Sequence, residues 1–498
     1  MRRVLIANRG EIAVRIARAC RDAGLTSAAV YARPDREALH VRTADEAFPL
    51  AGATPAETYL DMGKVLRAAA DSGADALHPG YGYLAESAEF AQAVLDAGLS
   101  WIGPPPAAIR LLGDKPAARQ AARQAGVPLL PGMTASISDP AQVMAFAREN
   151  GFPIAIKAAS GGGGRGVTVA RSAEEIPDAY ARAMRAAAEG STGRMGSPEC
   201  FAERYLERAR HIEAQCLTDR HGGVTVISTR DCSLQRRHQK IVEEAPAPFL
   251  PADIDARLRV ASAAILRAAG YAGAATCEFL LGQDGTLAFL EVNPRLAVAH
   301  PVSEEVAGLD LITATFRITE GDCLGYGDPV VRGHAIQFRI YAEDPSRGFT
   351  SAQGTVRTWR PPSGPGVRLD AGVEQGSVVT PAFGTLLAKL IVTGSSRVEA
   401  LQRAGRALHE FEIGGLPTNL PLHRALATDE AFAPPDPAAP FSVHAGWIES
   451  RYRMSWLLAG GRRRPARGRS VLVRDVLYAL GGVDALGERL HGGAAPRE

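Results

Sequence analysis

Glu291-Val292-Asn293-Pro294-Arg295-Leu296-Ala297-Val298-Ala299-His300 is the stretch from which the organisation of the chain unfolds. As an extended segment it puts Glu291, Asn293, Arg295, Ala297 and Ala299 on one face, because side chains alternate along a strand. That face runs from a carboxylate and an amide oxygen, suited to a hard divalent cation, through a guanidinium suited to an anion, to two methyl groups. Immediately upstream, two apolar runs at 276–281 and 287–291 flank Gly282-Gln283-Asp284-Gly285-Thr286, whose Asp-Gly pair and length signal a hairpin. Folding it back sets Glu278 opposite Glu291, or one residue off. Two carboxylates that close repel unless a cation lies between them, so the hairpin predicts a Mg²⁺ site.

Upstream of the hairpin, Phe152-Pro153-Ile154-Ala155-Ile156-Lys157-Ala158 has the pattern of a strand ending in lysine. It is followed by Ser160-Gly161-Gly162-Gly163-Gly164-Arg165-Gly166 and the apolar pair Val167 and Val169. Glycines between two short strands make a loop whose N–H groups can wrap phosphate oxygens. The spacing matches neither the dinucleotide fingerprint nor the P-loop. Residues 1–112 alternate short apolar strands with amphipathic helices, the pattern of an open doubly wound parallel α/β domain. Asn8-Arg9-Gly10-Glu11 there suits a simple turn at least as well as an anion site. Residues 113–330 form a second unit, with a lid at about 130–204. A third, mixed unit spans 331–447, with strands at 333–341, 354–359 and 386–392 and a helix at 397–411. The fold class is thus multidomain, α/β followed by α+β. Residues 448–498 form a basic tail containing Arg462-Arg463-Arg464-Pro465-Ala466-Arg467-Gly468-Arg469 and a short helix-like stretch at 471–480.

Length and composition agree with several packed units. The 498 residues carry 46% hydrophobic and 22% charged side chains, ordinary values for a folded protein. A net charge of +2 gives no case for nucleic acid, and no apolar run is long enough to span a bilayer. A charge arrives too early for a signal-peptide core, so a cytoplasmic protein is expected. Six cysteines without metal spacing predict reduced, mostly buried thiols. Only five lysines stand against 51 arginines. A retained lysine in such a chain marks a place for a compact point charge.

Together these strings resemble the biotin carboxylase family of ATP-grasp enzymes, from Arg3 to about Trp447. The matching stretches are Ala7-Asn8-Arg9-Gly10-Glu11-Ile12-Ala13, His78-Pro79-Gly80-Tyr81-Gly82, Lys157 with its glycine loop, Arg236-Arg237-His238-Gln239-Lys240 through Glu243-Glu244-Ala245-Pro246, and Gly333-His334-Ala335-Ile336-Gln337. The resemblance implies a pre-ATP-grasp domain, an ATP-grasp domain with a glycine-rich lid, and a C-terminal biotin carboxylase domain, usually as a homodimer. It implies that Lys115 and Lys157 neutralise nucleotide phosphates and that Gly161, Gly162, Gly163, Gly164 and Gly166 close over them. Glu203 and Leu206 would hold adenine, with His211, Gln235 and His238 along the nucleotide. Glu278, Glu291 and Asn293 would hold Mg²⁺ or Mn²⁺. Lys240 would meet the γ-phosphate and bicarbonate, Arg295 would bind bicarbonate and then phosphate, and Arg339 would stabilise the biotin enolate. Bicarbonate attacks the γ-phosphate of ATP in this family to give carboxyphosphate. No Ala-Met-Lys-Met acceptor occurs, so biotin is expected on a separate carrier protein, with a carboxyltransferase as further partner.

The chain departs from the family where the opening stretch ends. Glutamine is usual at Ala297 and glutamate at Ala299, and the glutamate is the proposed general base toward bicarbonate. Tyrosine and aspartate are usual at Phe383-Gly384, and glutamate at Thr229. General-base help is worth about 10² to 10⁴ in rate. Three readings follow: a biotin carboxylase, possibly weakened, of an acyl-CoA carboxylase; an ATP-grasp ligase activating a larger carboxylate; and a catalytically silent ATP-binding scaffold subunit.

Overall fold

A computed structural model describes residues 1–133, 135–158, 167–190, 199–434, 436 and 441–452. The expected glycine loop at 161–166 and the basic and helix-like stretches at 462–469 and 471–480 lie outside the described residues.

Five parallel strands build the N-terminal sheet, in the order Glu46–Leu50, Thr26–Ala32, Arg3–Ile6, Ala76–His78, Ser100–Trp101. Val4, Leu5 and Ile6 have no exposed surface, as expected for a parallel strand covered on both faces. The helix Gly10–Asp22 returns Ile12 and Ile16 onto this sheet. Asn8, at the end of the central strand, donates to the carbonyls of Pro79 and Tyr81 at 2.7 and 2.8 Å. Arg9 pairs with Asp35. Both side chains of the Asn8-Arg9 turn are therefore spent on fastening neighbouring loops.

A small antiparallel sheet follows, ordered Val167–Ala170, Ile154–Ala158, Cys200–Arg204, with the helices Pro140–Asn150 and Ile176–Gly190 beside it. The largest sheet has eight antiparallel strands: Leu287–Asn293, Gly273–Leu281, Arg210–Thr218, Val224–Arg236, Gln239–Ala245, His334–Tyr341, Leu386–Gly394 and Val367–Ala371. The last three come from beyond residue 331, so one hydrogen-bonded ladder passes from the central into the C-terminal part of the chain. The expected strand at 354–359 is two short pieces, Gly354–Thr355 and Thr358–Arg360, each in its own two-stranded sheet.

Helix Arg397–Glu410 packs on the ladder through Ala400, Ala404, Ala407 and Leu408, a helical spacing whose small side chains permit close approach. Its start is fixed reciprocally: Ser396 accepts from the Glu399 N–H, and Glu399 accepts from the Ser395 N–H. Five of the six cysteines are buried and all are free.

Candidate active site

A cleft of about 1300 Å³ opens above the edge of the large sheet, and its floor is the predicted hairpin. Glu278 lies directly opposite Glu291 across the strand pair, and the register slips just after it. The Glu278 Oε1 atom is 2.5 Å from Lys240 Nζ and accepts from Asn293 Nδ2, while Oε2 is 2.8 Å from His211 Nε2. Lys240 also reaches Glu213 Oε1 at 2.5 Å. The other Glu213 oxygen accepts two bonds, of 2.9 and 2.7 Å, from the fully buried Arg230.

The electrostatics of the two floor carboxylates diverge. Burial works to raise Glu278, but Lys240 and His211 outweigh it and hold the acid at about 2. Glu291 is raised, by burial first and by the Glu278 charge second. His211 is lifted to about 9, because Glu278 and Glu213 overcome the opposing effects of burial and Lys240. Among the described residues, His211, Glu213 and Glu278 have ligand atoms within 4.8 Å of one another. In that trio the carboxylates are already met by Lys240 and Arg230. The raised Glu291 instead marks a deficit of positive charge. Glu278 and Glu291, opposite each other, carry oxygens of the kind a hard divalent cation takes, but Lys240 already meets Glu278 and the Asn293 amide oxygen accepts from Arg295 NH2 at 3.0 Å, so a cation here would exchange with both.

Of the residues expected along a nucleotide, the described ones, Lys115, Lys157, Glu203, Leu206, His211, Gln235 and His238, all line the same cleft. Lys115 opens helix Lys115–Gln124, whose start is capped by Asp114 accepting from the Ala117 N–H at 2.8 Å. Burial lowers its pKa, against Glu291 which raises it. Lys157 forms an ion pair with Glu203 on the adjacent strand, and Arg119 donates to the second Glu203 oxygen at 2.8 Å. Leu206, Gln235 and His238 also line the cleft. Gln235 is oriented by donating to the Cys232 carbonyl at 2.8 Å. His238 stands on a two-residue turn, Arg237-His238, whose φ angles are 49° and 66°.

At the far end, Arg295 Nε donates to Glu86 at 2.6 Å and its NH2 to Asn293 Oδ1 at 3.0 Å. Arg339 donates to Glu243 Oε1 at 2.6 Å, and Gln337 donates to Glu243 Oε2 at 3.0 Å. Ala297, Val298 and Ala299 border this end. The expectation of one extended face from Glu291 to Ala299 is corrected: the strand stops at Asn293, before Pro294, which has no N–H to continue the ladder. A turn ahead of helix His300–Ala307 brings both alanines to the cleft. Phe383 is a packing residue, edge-on to Tyr59 and 4.9 Å from the Arg9 guanidinium, and does not line the cleft. Thr229 is buried, its hydroxyl accepting from the Ala247 N–H at 3.2 Å.

Four residues that hold this site together escaped the sequence reading: Glu86, Glu213, Arg230 and Glu243. Glu213 had a local signal, two positions from His211 on one strand face, and Glu243 stands in the matching stretch Glu243-Glu244-Ala245-Pro246, whereas Glu86 and Arg230 had none.

Three family profiles match the chain in succession: "Biotin carboxylase, N-terminal domain" over residues 1–109, "Carbamoyl-phosphate synthase L chain, ATP binding domain" over 114–326, and "Biotin carboxylase C-terminal domain" over 337–448. The biotin-dependent acyl-coenzyme A carboxylase alpha3 subunit of Mycobacterium leprae is 56% identical, over 90% of this chain and 74% of that one. The biotin carboxylase of a Nostoc species is 42% identical, over 86% and 96%. Among solved structures, the biotin carboxylase domain dimer of Hydrogenobacter thermophilus 2-oxoglutarate carboxylase, in complex with MgADP, ADP and bicarbonate, superposes with a TM-score of 0.84 at 36% identity, over 90% of this chain and 97% of that one. With these profiles matching most of residues 1–448 and a relative of this identity, the chain belongs to the biotin carboxylase family of ATP-grasp ligases.

Proposed function

We propose that the cleft carries out ATP- and bicarbonate-dependent carboxylation of biotin on a separate carrier protein, as the biotin carboxylase component of an acyl-CoA carboxylase. One observation carries the reading. Three of the five lysines, with Arg295 and Arg339, line a single cleft around the Glu278–Glu291 hairpin. Phosphoryl transfer spreads charge over oxygens, so position and fixed charge supply most of the catalysis.

In this reading Lys115 and Lys157 neutralise nucleotide phosphates, and arriving phosphate competes with Glu203 for the Lys157 ammonium. The glycine loop closes over those phosphates. Glu203, Leu206, His211, Gln235 and His238 lie along the nucleotide. Glu278, Glu291 and Asn293 hold Mg²⁺, which draws developing charge from the phosphate oxygens when bound. Lys240 meets the γ-phosphate and bicarbonate, Arg295 holds bicarbonate, and Arg339 stabilises the biotin enolate. The partners are bicarbonate, the biotin carrier, a carboxyltransferase subunit and a second copy of this chain.

The test is phosphate release by the pure protein with ATP, Mg²⁺ and bicarbonate, with and without free biotin. Biotin-stimulated release is expected. No release while nucleotide still binds in calorimetry overturns the reading; a panel of organic acids then tests a ligase for larger carboxylates, and silence across it leaves a scaffold.

A further inference from the structure

Three of the five lysines line the cleft, and Lys64 caps the carbonyls of Ala51 and Glu57 near the surface. The fifth, Lys389, has no exposed surface, and burying an ammonium is costly unless it is paired. Its Nζ lies 3.1 Å from Glu11 Oε2, 3.8 Å from Asp370 Oδ2 and 3.4 Å from the carbonyl oxygen of Val298. Asp370 is already met by two bonds from Arg368. Lys389 is the only ion partner of the Glu11 carboxylate among the described residues. The Tyr81 ring lies 5.7 Å from the ammonium, whose hydrogen bond goes to Val298, the residue between Ala297 and Ala299.

Lys389 is also the register partner of Arg339 across the strands Leu386–Gly394 and His334–Tyr341. Residues directly opposite share a face, and two cations so placed repel. Each has its own buried counter-ion, Glu11 for Lys389 and Glu243 for Arg339. Gln337, on the same face two residues from Arg339, donates to Glu243 at 3.0 Å and to the Val298 carbonyl at 3.5 Å. Arg339 and the turn bearing the two alanines are thus tied to one row of polar groups, and the Val298 carbonyl is where that row meets the turn. Neither alanine can hold the turn through its side chain.

We propose that Lys389 is a positioning residue for the bicarbonate end of the cleft: the His300 ring holds the Ala297 carbonyl at 2.7 Å, and the Lys389 ammonium anchors the next carbonyl, that of Val298, and so sets the 297–299 turn in register with Arg339. The ammonium is a compact charge that meets Glu11 and Asp370 as ion partners and donates to Val298, an arrangement a bulkier planar guanidinium would not keep. The inference rests on the function proposed above for its kinetic readout only.

The experiment uses the full chain carrying E11Q and K389M together, since removing both members of a buried pair avoids stranding one charge. Melting temperature and MgADP affinity are expected to stay near wild type. Amide hydrogen exchange in the 296–300 segment is expected to accelerate, with the helix Arg397–Glu410 unchanged. The KM for bicarbonate should rise about tenfold or more with little change in the KM for ATP, as displaced binding groups behave. Unchanged exchange at 296–300 in a folded double variant overturns the proposal. K389R is the second arm, for the case where the double variant does not fold. It keeps the charge, and faster exchange at 296–300 supports positioning, whereas wild-type exchange and bicarbonate KM show that charge alone suffices and overturn it. If the wild-type protein releases no phosphate with bicarbonate, the proposed function fails, while exchange at 296–300 still decides the role of Lys389.

Discussion

Lys240 Nζ lies 2.5 Å from Glu278 Oε1, so this ammonium, with His211, keeps the Glu278 carboxylate ionised against its burial. With Lys240→Met, Glu278 and Glu213 lose their shared cation, and His211 and Arg230 remain. Turnover is expected to fall by about 10² to 10³, the scale for loss of a preorganised charge at developing phosphate charge. Phosphate-release kinetics check this, and wild-type turnover in the variant would remove Lys240 from the chemistry.

Glu291→Gln should separate the metal from the fold. The wild-type carboxylate is strained by burial and by Glu278, so the amide is expected to leave the metal-free protein at least as stable as wild type. The further rise in melting temperature on adding Mn²⁺ with ADP should shrink sharply, and activity should fall about 10²-fold. A variant that melts earlier without metal but keeps the full metal-dependent rise contradicts the assignment.

The sequence pattern located this floor because a hairpin's register depends on local turn chemistry, and Asp284-Gly285 set Glu278 against Glu291. The cations over it were visible through their rarity as lysines. The supporting groups were not. Arg230 donates to Glu213, Gln215, Thr276 and Ser303, partners that only the assembled sheet and the helix His300–Ala307 bring together. Glu86 reaches Arg295 across 209 residues and Glu243 reaches Arg339 across 96, separations that carry no local pattern. Strand periodicity also overran its element at Pro294, because an alternation of residue types does not show where hydrogen bonding ends. The continuity of the large sheet past residue 331 likewise depends on long-range pairing, Val242 with Phe338 and Ala245 with Ala335.

The Arg237-His238 turn predicts a trade between stability and activity. Both residues have positive φ, as a two-residue I′ turn requires; histidine tolerates that region better than most side chains, and arginine is the strained member. Arg237→Asn should stabilise the protein by about 0.5–1 kcal/mol with activity largely retained, and His238→Gly should stabilise it while lowering nucleotide affinity. Denaturant midpoints and ADP calorimetry check both. A destabilised Arg237→Asn would mean that other contacts of Arg237 outweigh its backbone conformation.

The buried Glu244 makes a pH prediction away from the cleft. It accepts from Arg397 at 2.8 Å and lies 2.9 Å from His334 Nε2, and these partners overcome burial to hold it at about 2. Its folded pKa is below the unfolded value near 4.3, so its contribution is complete above about pH 4.3 and is lost as pH falls toward about 2. At most about 3 kcal/mol is involved. Glu244→Gln is expected to be less stable at pH 7 and to show a shallower loss of stability over that acid window. Parallel curves for the two proteins would exclude the linkage.

Under the proposed function, Ala297 and Ala299 stand at the end of the cleft assigned to bicarbonate. Both border the cleft with Arg295 and Arg339 nearby, and a methyl group can neither accept a proton nor donate a hydrogen bond. Ala299 has φ −85° and ψ 7°, a conformation open to glutamate, so the substitution demands no backbone change. Ala297→Gln with Ala299→Glu is therefore expected to raise bicarbonate-dependent phosphate release about 10²-fold or more if proton removal limits the wild-type rate. The gain should grow as pH rises through the carboxylate's pKa, because only the ionised form takes a proton. An unchanged rate across that pH range, with the fold and ADP affinity intact, would mean that this chain already removes the proton by another group.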